Sequence, residues 1–129
     1  MKPSFLILFL GICICHSYAQ RFTGTMTVGG YTRENVVVKL KTTSAQDVCA
    51  ITMFNVKFAR MMPVTLDVTI NPVTKKNGLL TGDNIIPSGN GKRYEKYVVR
   101  QLKGNVGSDN LHFFCTMGDK KVTYSGRKE

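Results

Sequence analysis

From Phe22 onward, apolar residues recur at every second position over most of the chain. In FTGTMTV, residues 22–28, Phe22, Gly24, Met26 and Val28 share one side and three threonines the other. NVVVKLKT sets Val36, Val38 and Leu40 against Val37, Lys39 and Lys41. MFNVKFA sets Phe54, Val56 and Phe58 against Asn55, Lys57 and Ala59, and VTLDVTI sets Val64, Leu66, Val68 and Ile70 against Thr65, Asp67 and Thr69. A period of two marks strands with one buried face. Threonine, valine and phenylalanine suit such a half-buried pleat. Turn signals punctuate the runs: Gly29-Gly30, Asn77-Gly78, SGNGK at 88–92, GNVGSDN at 104–110 and MGDK at 117–120. Pro63 stands just before a strand and Pro72 just after one, where a missing N–H does least harm. The expected product is all-β, an antiparallel meander closed as a sandwich or barrel.

One stretch fits two readings. YEKYVVRQLKG places Tyr94, Tyr97, Val98 and Leu102 at helical spacing, with Gly104 where a helix would end. Read as a strand, KYVVRQL has a mixed pattern.

LHFFCTM, residues 111–117, holds the one histidine and one of two cysteines outside the first twenty residues. In a strand, Leu111, Phe113, Cys115 and Met117 face one way and His112, Phe114 and Thr116 the other. His112 and Cys115 therefore point to opposite sides and cannot reach each other as base and nucleophile. Two separated cysteines make no CxxC motif, and one histidine is a poor start for zinc. SGNGKR lacks the strand and helix context of a phosphate loop. The eight carboxylates are scattered; Asp67 and Asp83 would have to meet in space. No set of nucleophile, base and stabilising group emerges, so neither an enzyme, a metal site nor a cofactor is expected.

The chain opens MKPSFLILFLGICICHSYAQ. Lys2, an apolar run from about Phe5 to Cys15, then Ser17 and Ala19 before a cut have the form of a secretory signal peptide. The run is shorter than the roughly 20 residues a spanning helix needs. The expected division is a cleaved leader at 1–19 and one domain at 20–129, exported to the periplasm, cell surface or medium. Export permits a disulfide between Cys49 and Cys115; the alternative is two small buried apolar residues.

The formal charge is +10, and losing Lys2 lowers it to +9. That balance favours acidic partners. Lys92, Arg93, Lys96, Arg100 and Lys103 fall within twelve residues, interleaved with Tyr94 and Tyr97. An anionic glycan or lipid headgroup is the expected partner of this cluster if it binds; nucleic acid is not, because no nucleic-acid fold accompanies the charge. The structural alternative is a solvated face beside core tyrosines.

FTGTMTV, ITMFNVKFARMMPVTLDVTI and KGNVGSDNLHFFCTMGDKKVTYSGRK together resemble the calycin-like β-barrel domain of exported Bacteroides-group proteins. That family opens on a strand similar to Y-x-G-T-L-T-V and closes on a hairpin similar to G-x-V-x-G-x-x-L-x-F followed by V-T-F-x-G-x-K. The resemblance spans residues 21–128 and implies a lipocalin-like up-and-down barrel of about eight strands. It favours the strand reading of YEKYVVRQLKG and carries no functional residues with it. Two functions are then expected. In the first, Phe22, Met26, Val38, Leu40, Phe54, Val56, Phe58, Leu66, Val68, Leu111 and Phe113 line a lumen that holds a small apolar ligand. In the second, these residues fill the barrel, and its basic surface holds an anionic glycan, lipopolysaccharide or protein. Ligand identity and oligomeric state are left open by the sequence.

Overall fold

The structure is a computed structural model and describes residues 18–42, 47–58 and 61–129. The expected leader lies outside these residues, except that Tyr18 and Ala19 begin the first strand. The chain runs β1 (Tyr18–Val28), β2 (Tyr31–Thr42), β3 (Val48–Val56), β4 (Leu66–Lys76), β5 (Leu79–Gly82), β6 (Ser88–Gly89), β7 (Lys92–Arg93), a single 3₁₀ turn (Glu95–Tyr97), β8 (Val99–Val106), β9 (Asn110–Met117) and β10 (Lys120–Lys128). Among the described residues, eight strands close a ring in the order β1-β2-β3-β4-β5-β8-β9-β10, with β10 returning to β1. Every pairing is antiparallel. The alternation called for an all-β meander closed as a sandwich or barrel, and the closed form is the up-and-down barrel of eight strands that the resemblance implied. β6 and β7 form a small hairpin appended to β4 through Thr69 and Ser88. No helix among the described residues is long and apolar enough to cross a membrane.

The turns are those the sequence signals. Gly29-Gly30, Asn77-Gly78 and Asn90-Gly91 each carry positive φ at both positions, as a two-residue type I′ hairpin requires. Pro72 lies within β4 rather than after it, exposed, between the stretch of β4 paired to β6 and the stretch paired to β5.

Four strands carry an extra residue among the described residues. In three of them a positive-φ residue marks the place, Asn35 in β2, Asn55 in β3 and Gln101 in β8, and in β4 it falls at Asn71-Pro72, opposite the step from Cys49 to Ile51. A bulge reverses which side chains face inward. In β3, Met53 pairs with Val68 and Val56 with Leu66, so Met53, Val56 and Phe58 are buried. Phe54 is thereby corrected. It stands on the outer wall, half-buried, with the Arg21 guanidinium 5.8 Å from its ring centroid.

YEKYVVRQLKG takes the strand reading from Val99 onward, and the helix ending at Gly104 does not form. One 3₁₀ turn gives Tyr94 and Tyr97 their common side, and β8 follows. Tyr97 stacks on buried Phe58 at 4.0 Å between centroids and 9° between planes. The Phe58 amide donates to the Met62 sulfur at 3.4 Å. These residues close the barrel end that also carries the Gly29-Gly30 turn. At the opposite end, the Glu129 carboxylate accepts from the Thr23 hydroxyl and the Arg21 guanidinium, which hold it below the usual carboxylate range.

Inside, Tyr124 donates its hydroxyl to the Val36 carbonyl at 3.0 Å, a buried bond that reaches from β10 past β1 to β2. Tyr124→Phe removes the donor and leaves that carbonyl buried without it. The expected cost is about 1–2 kcal/mol in urea unfolding. A variant as stable as the wild type would show that water replaces the hydroxyl.

Candidate functional site

Among the described residues, the inward side chains are closely packed. Nine of the eleven residues expected to line a lumen are buried in one continuous cluster, Leu66 packs against it half-buried, and Phe54 is outside. Val28, Ile51, Met53, Ile70, Leu102 and Met117 join the cluster at 4% exposure or less. Between inward side chains at the plugged end lies a space of about 10 Å³, bounded by Met26, Val28, Tyr31, Arg33, Val36, Val56 and Lys57. That is room for about one water. The Arg33 guanidinium donates to the Asn55 carbonyl and caps this end.

The larger spaces are open grooves on the outer wall. One, of about 620 Å³, runs between β4, the segment 82–86 and the appended hairpin, past Asn71, Thr74, Asp83, Ile86, Ser88 and Arg93. A second, of about 610 Å³, crosses β5, β8 and β9 past Thr81, Gln101, Leu102, Lys103 and Phe114. The two share Thr74, Gly82 and Asp83 and so form one trough. A third hollow of about 300 Å³ continues beyond Phe114, past Asn105, His112 and Thr123.

The trough exists because β8 is held away from a regular ladder. Arg100 pairs with Thr116 and Lys103 with Phe114, so three steps along β8 match two along β9. In a regular strand, residues three apart face opposite sides. The extra residue at Gln101, φ 56°, puts both cations on the outer wall. Two residues of β9 separate them, about 7 Å. Gln101 is the one positive-φ residue of the described chain that is not Gly, Asn or Asp. Segment 83–85 clamps it. The Gln101 amide donates to Asp83 Oδ1 at 3.1 Å, the Arg100 Nε donates to Asn84 Oδ1 at 3.2 Å, and Ile85 and Val99 exchange backbone bonds at 3.0 and 2.7 Å. Buried Ile85 thus closes the wall, and Ile86 is left at the groove.

The five expected basic residues are exposed and spread over β7, the 3₁₀ turn and β8. Arg93 lines the first groove and Lys103 the second, and Arg100 is held by Asn84, which lines the first. Lys92 is exposed on β7, and Lys96 lies on the 3₁₀ turn with its ammonium 5.9 Å from the Tyr97 ring centroid. Sequence reasoning missed Asp83, Asn84, Gln101 and Phe114 as groove residues. Nothing local in the sequence connects Asp83 and Asn84 to Gln101.

Cys49 and Cys115 are free and buried. β3 and β9 are four places apart in the ring of eight, on opposite walls. A disulfide needs Cα atoms within about 7 Å, whereas eight tilted strands make a barrel about 16 Å across. Of the two roles left open by the sequence, the thiols take that of small apolar core residues. Burial pushes the Cys115 thiol up to about 12. Burial, opposed by Lys75, pushes Cys49 up to about 11. His112 is exposed on the outer wall while Cys115 points inward, so the two stand apart as the alternation requires. No known protein family, curated protein or solved structure matches the chain.

Proposed function

We propose that this chain is an exported, non-enzymatic binding protein of calycin-like type, in which the barrel is a filled scaffold and the outer trough holds an anionic glycan. The observation that carries the reading is the contrast in space. About 10 Å³ lies among the inward side chains, against grooves of about 620 and 610 Å³ that share a boundary outside. A ligand pocket for a small apolar molecule ordinarily needs about 300 Å³ or more. The trough is open and of mixed polarity, Arg93 and Lys103 line its two halves, and Arg100 stands beside it on Asn84. An extended chain carrying carboxylates or sulfates fits that shape and charge. The clamp at Asp83 and Asn84 fixes the Arg100–Lys103 pair before binding, which lowers the ordering cost.

Calorimetry on residues 20–129 with a hexauronate, a sulfated hexasaccharide and a neutral hexasaccharide tests this. The acidic chains should bind at low salt and weaken as salt screens the cations. Arg100→Gln with Lys103→Gln should weaken binding about tenfold or more, since each charged contact contributes about 1.5–3 kcal/mol. No binding of either acidic chain at low salt, or binding untouched by the double substitution, overturns the proposal.

A further inference from the structure

We infer that Phe114 and Lys103 form a single sugar subsite, the ring stacking on the C–H face of a pyranose and the ammonium pairing with a carboxylate or sulfate on that same sugar. This rests on the glycan reading above and names the unit it recognises.

Phe114 is the feature that carries the inference. It is 52% exposed at an outward position of β9, in the middle of a paired strand. Its directly opposed neighbours are Lys103 on β8 and Thr123 on β10. His112 and Thr116 flank it on the same face of β9. A half-exposed phenyl ring contributes little to the core, and among the described residues its neighbours on this face are the His112 imidazole, Thr116, Lys103 and Thr123, with no second phenyl or phenol ring. It bounds the 610 Å³ groove on one side and the 300 Å³ hollow on the other, so it stands as a ridge between two spaces.

A lone ring among hydroxyls, an amide and a cation is an amphipathic surface. A pyranose is its chemical match, with one face of C–H bonds and an edge of oxygens. Directly opposed side chains on paired strands have Cβ atoms about 5 Å apart. The Lys103 ammonium therefore reaches an acid group on a sugar seated over Phe114, and Arg100, about 7 Å further along, reaches an acid on the next. A single-stranded nucleic acid would use several rings for successive bases. The trough offers one. A stable protein partner buries about 800 Å² on each side around a central apolar cluster, and one ring does not supply that.

The test is a double-mutant cycle on residues 20–129 with wild type, Phe114→Ala, Lys103→Gln and both together. The hexauronate, the neutral hexasaccharide and an oligothymidylate are titrated by calorimetry at low and high salt. Phe114 is exposed, so its removal should leave the urea midpoint unchanged. Phe114→Ala should weaken hexauronate binding about tenfold at both salt levels, and Lys103→Gln should lower the salt dependence by one cation's share, leaving that of the remaining arginines. The double variant should lose less than the product of the two, because both side chains hold one sugar. Phe114→Trp should retain binding.

Hexauronate binding that survives Phe114→Ala unchanged, or single losses that multiply, overturns the subsite and leaves the trough reading intact. Failure of the wild type to bind either the hexauronate or the sulfated hexasaccharide overturns both. Tighter binding of the oligothymidylate than of the hexauronate overturns the sugar assignment.

Discussion

Gly24→Val should be among the most damaging single substitutions in this protein, costing about 3 kcal/mol or more of folding stability. Gly24 of β1 lies directly opposite Gly126 of β10. A Cβ added at Gly24 would collide with the Ser125 carbonyl oxygen and the Gly126 Cα. Both are backbone atoms and cannot rotate away. Relief requires separating β1 from β10, one of the seams of the ring. Gly126 in turn lies under the Tyr124 ring, where a Cβ would meet the phenol. The glycine pair therefore lets two strands approach closely while Tyr124 crosses to the Val36 carbonyl. Gly91→Ala is the control. Gly91 has φ 76° and nothing within 4 Å of a built Cβ, so only the left-handed backbone is penalised, at about 1 kcal/mol. Urea unfolding of both variants measures the difference. Equal losses would mean that the β1–β10 seam is looser than described.

How far the sequence could be read depended on where the strands are regular. β9 has no extra residue, and every side of LHFFCTM followed from alternation alone. β1 likewise placed Phe22, Met26 and Val28 inside as its pattern requires. Phe54 was misplaced because the bulge at Asn55 reverses the period within MFNVKFA. Asparagine tolerates positive φ, which is a weak hint of a bulge and no measure of its position. At Gln101 even that hint is missing, since glutamine seldom adopts φ > 0. The mixed pattern of KYVVRQL was the trace of this bulge. It became interpretable only when Asp83, 18 residues earlier, was found holding the Gln101 amide. The trough stayed hidden for the same reason. Its walls come from β4, β5, β8 and β9, and only ring closure sets them side by side. Whether the cysteines could bridge also hung on strand order, which two residues 66 apart do not reveal.

The two thiols should be chemically silent in the folded protein. At about pH 8, an ordinary cysteine is roughly one-quarter thiolate. With the Cys115 thiol pushed up to about 12, its thiolate fraction falls by about a thousandfold or more, and that of Cys49, at about 11, by about a hundredfold or more. Both are also at 3% exposure or less, so a reagent must wait for the barrel to open. With residues 20–129, a chromogenic disulfide reagent should therefore report almost no thiol in the native protein and two after guanidinium is added. Rapid native labelling, or a mass two hydrogens lower in unreduced protein, would contradict the placement of Cys49 and Cys115 on opposite walls. The same burial sets the alkaline behaviour. Both pKa values are raised on folding, so the unfolded chain gives up protons that the folded chain keeps. Stability from this source is complete below about pH 9 and is lost as pH rises toward about 11 to 12, by up to about 1.4 kcal/mol per pH unit for each thiol. The Tyr124 phenol, raised by burial and by Glu129, adds a loss of the same sign at still higher pH. The guanidinium midpoint should fall steeply above about pH 9, and Cys49→Ala with Cys115→Ala should flatten that fall while lowering stability at neutral pH. An alkaline slope unchanged by the double substitution would show that the two thiols do not set it.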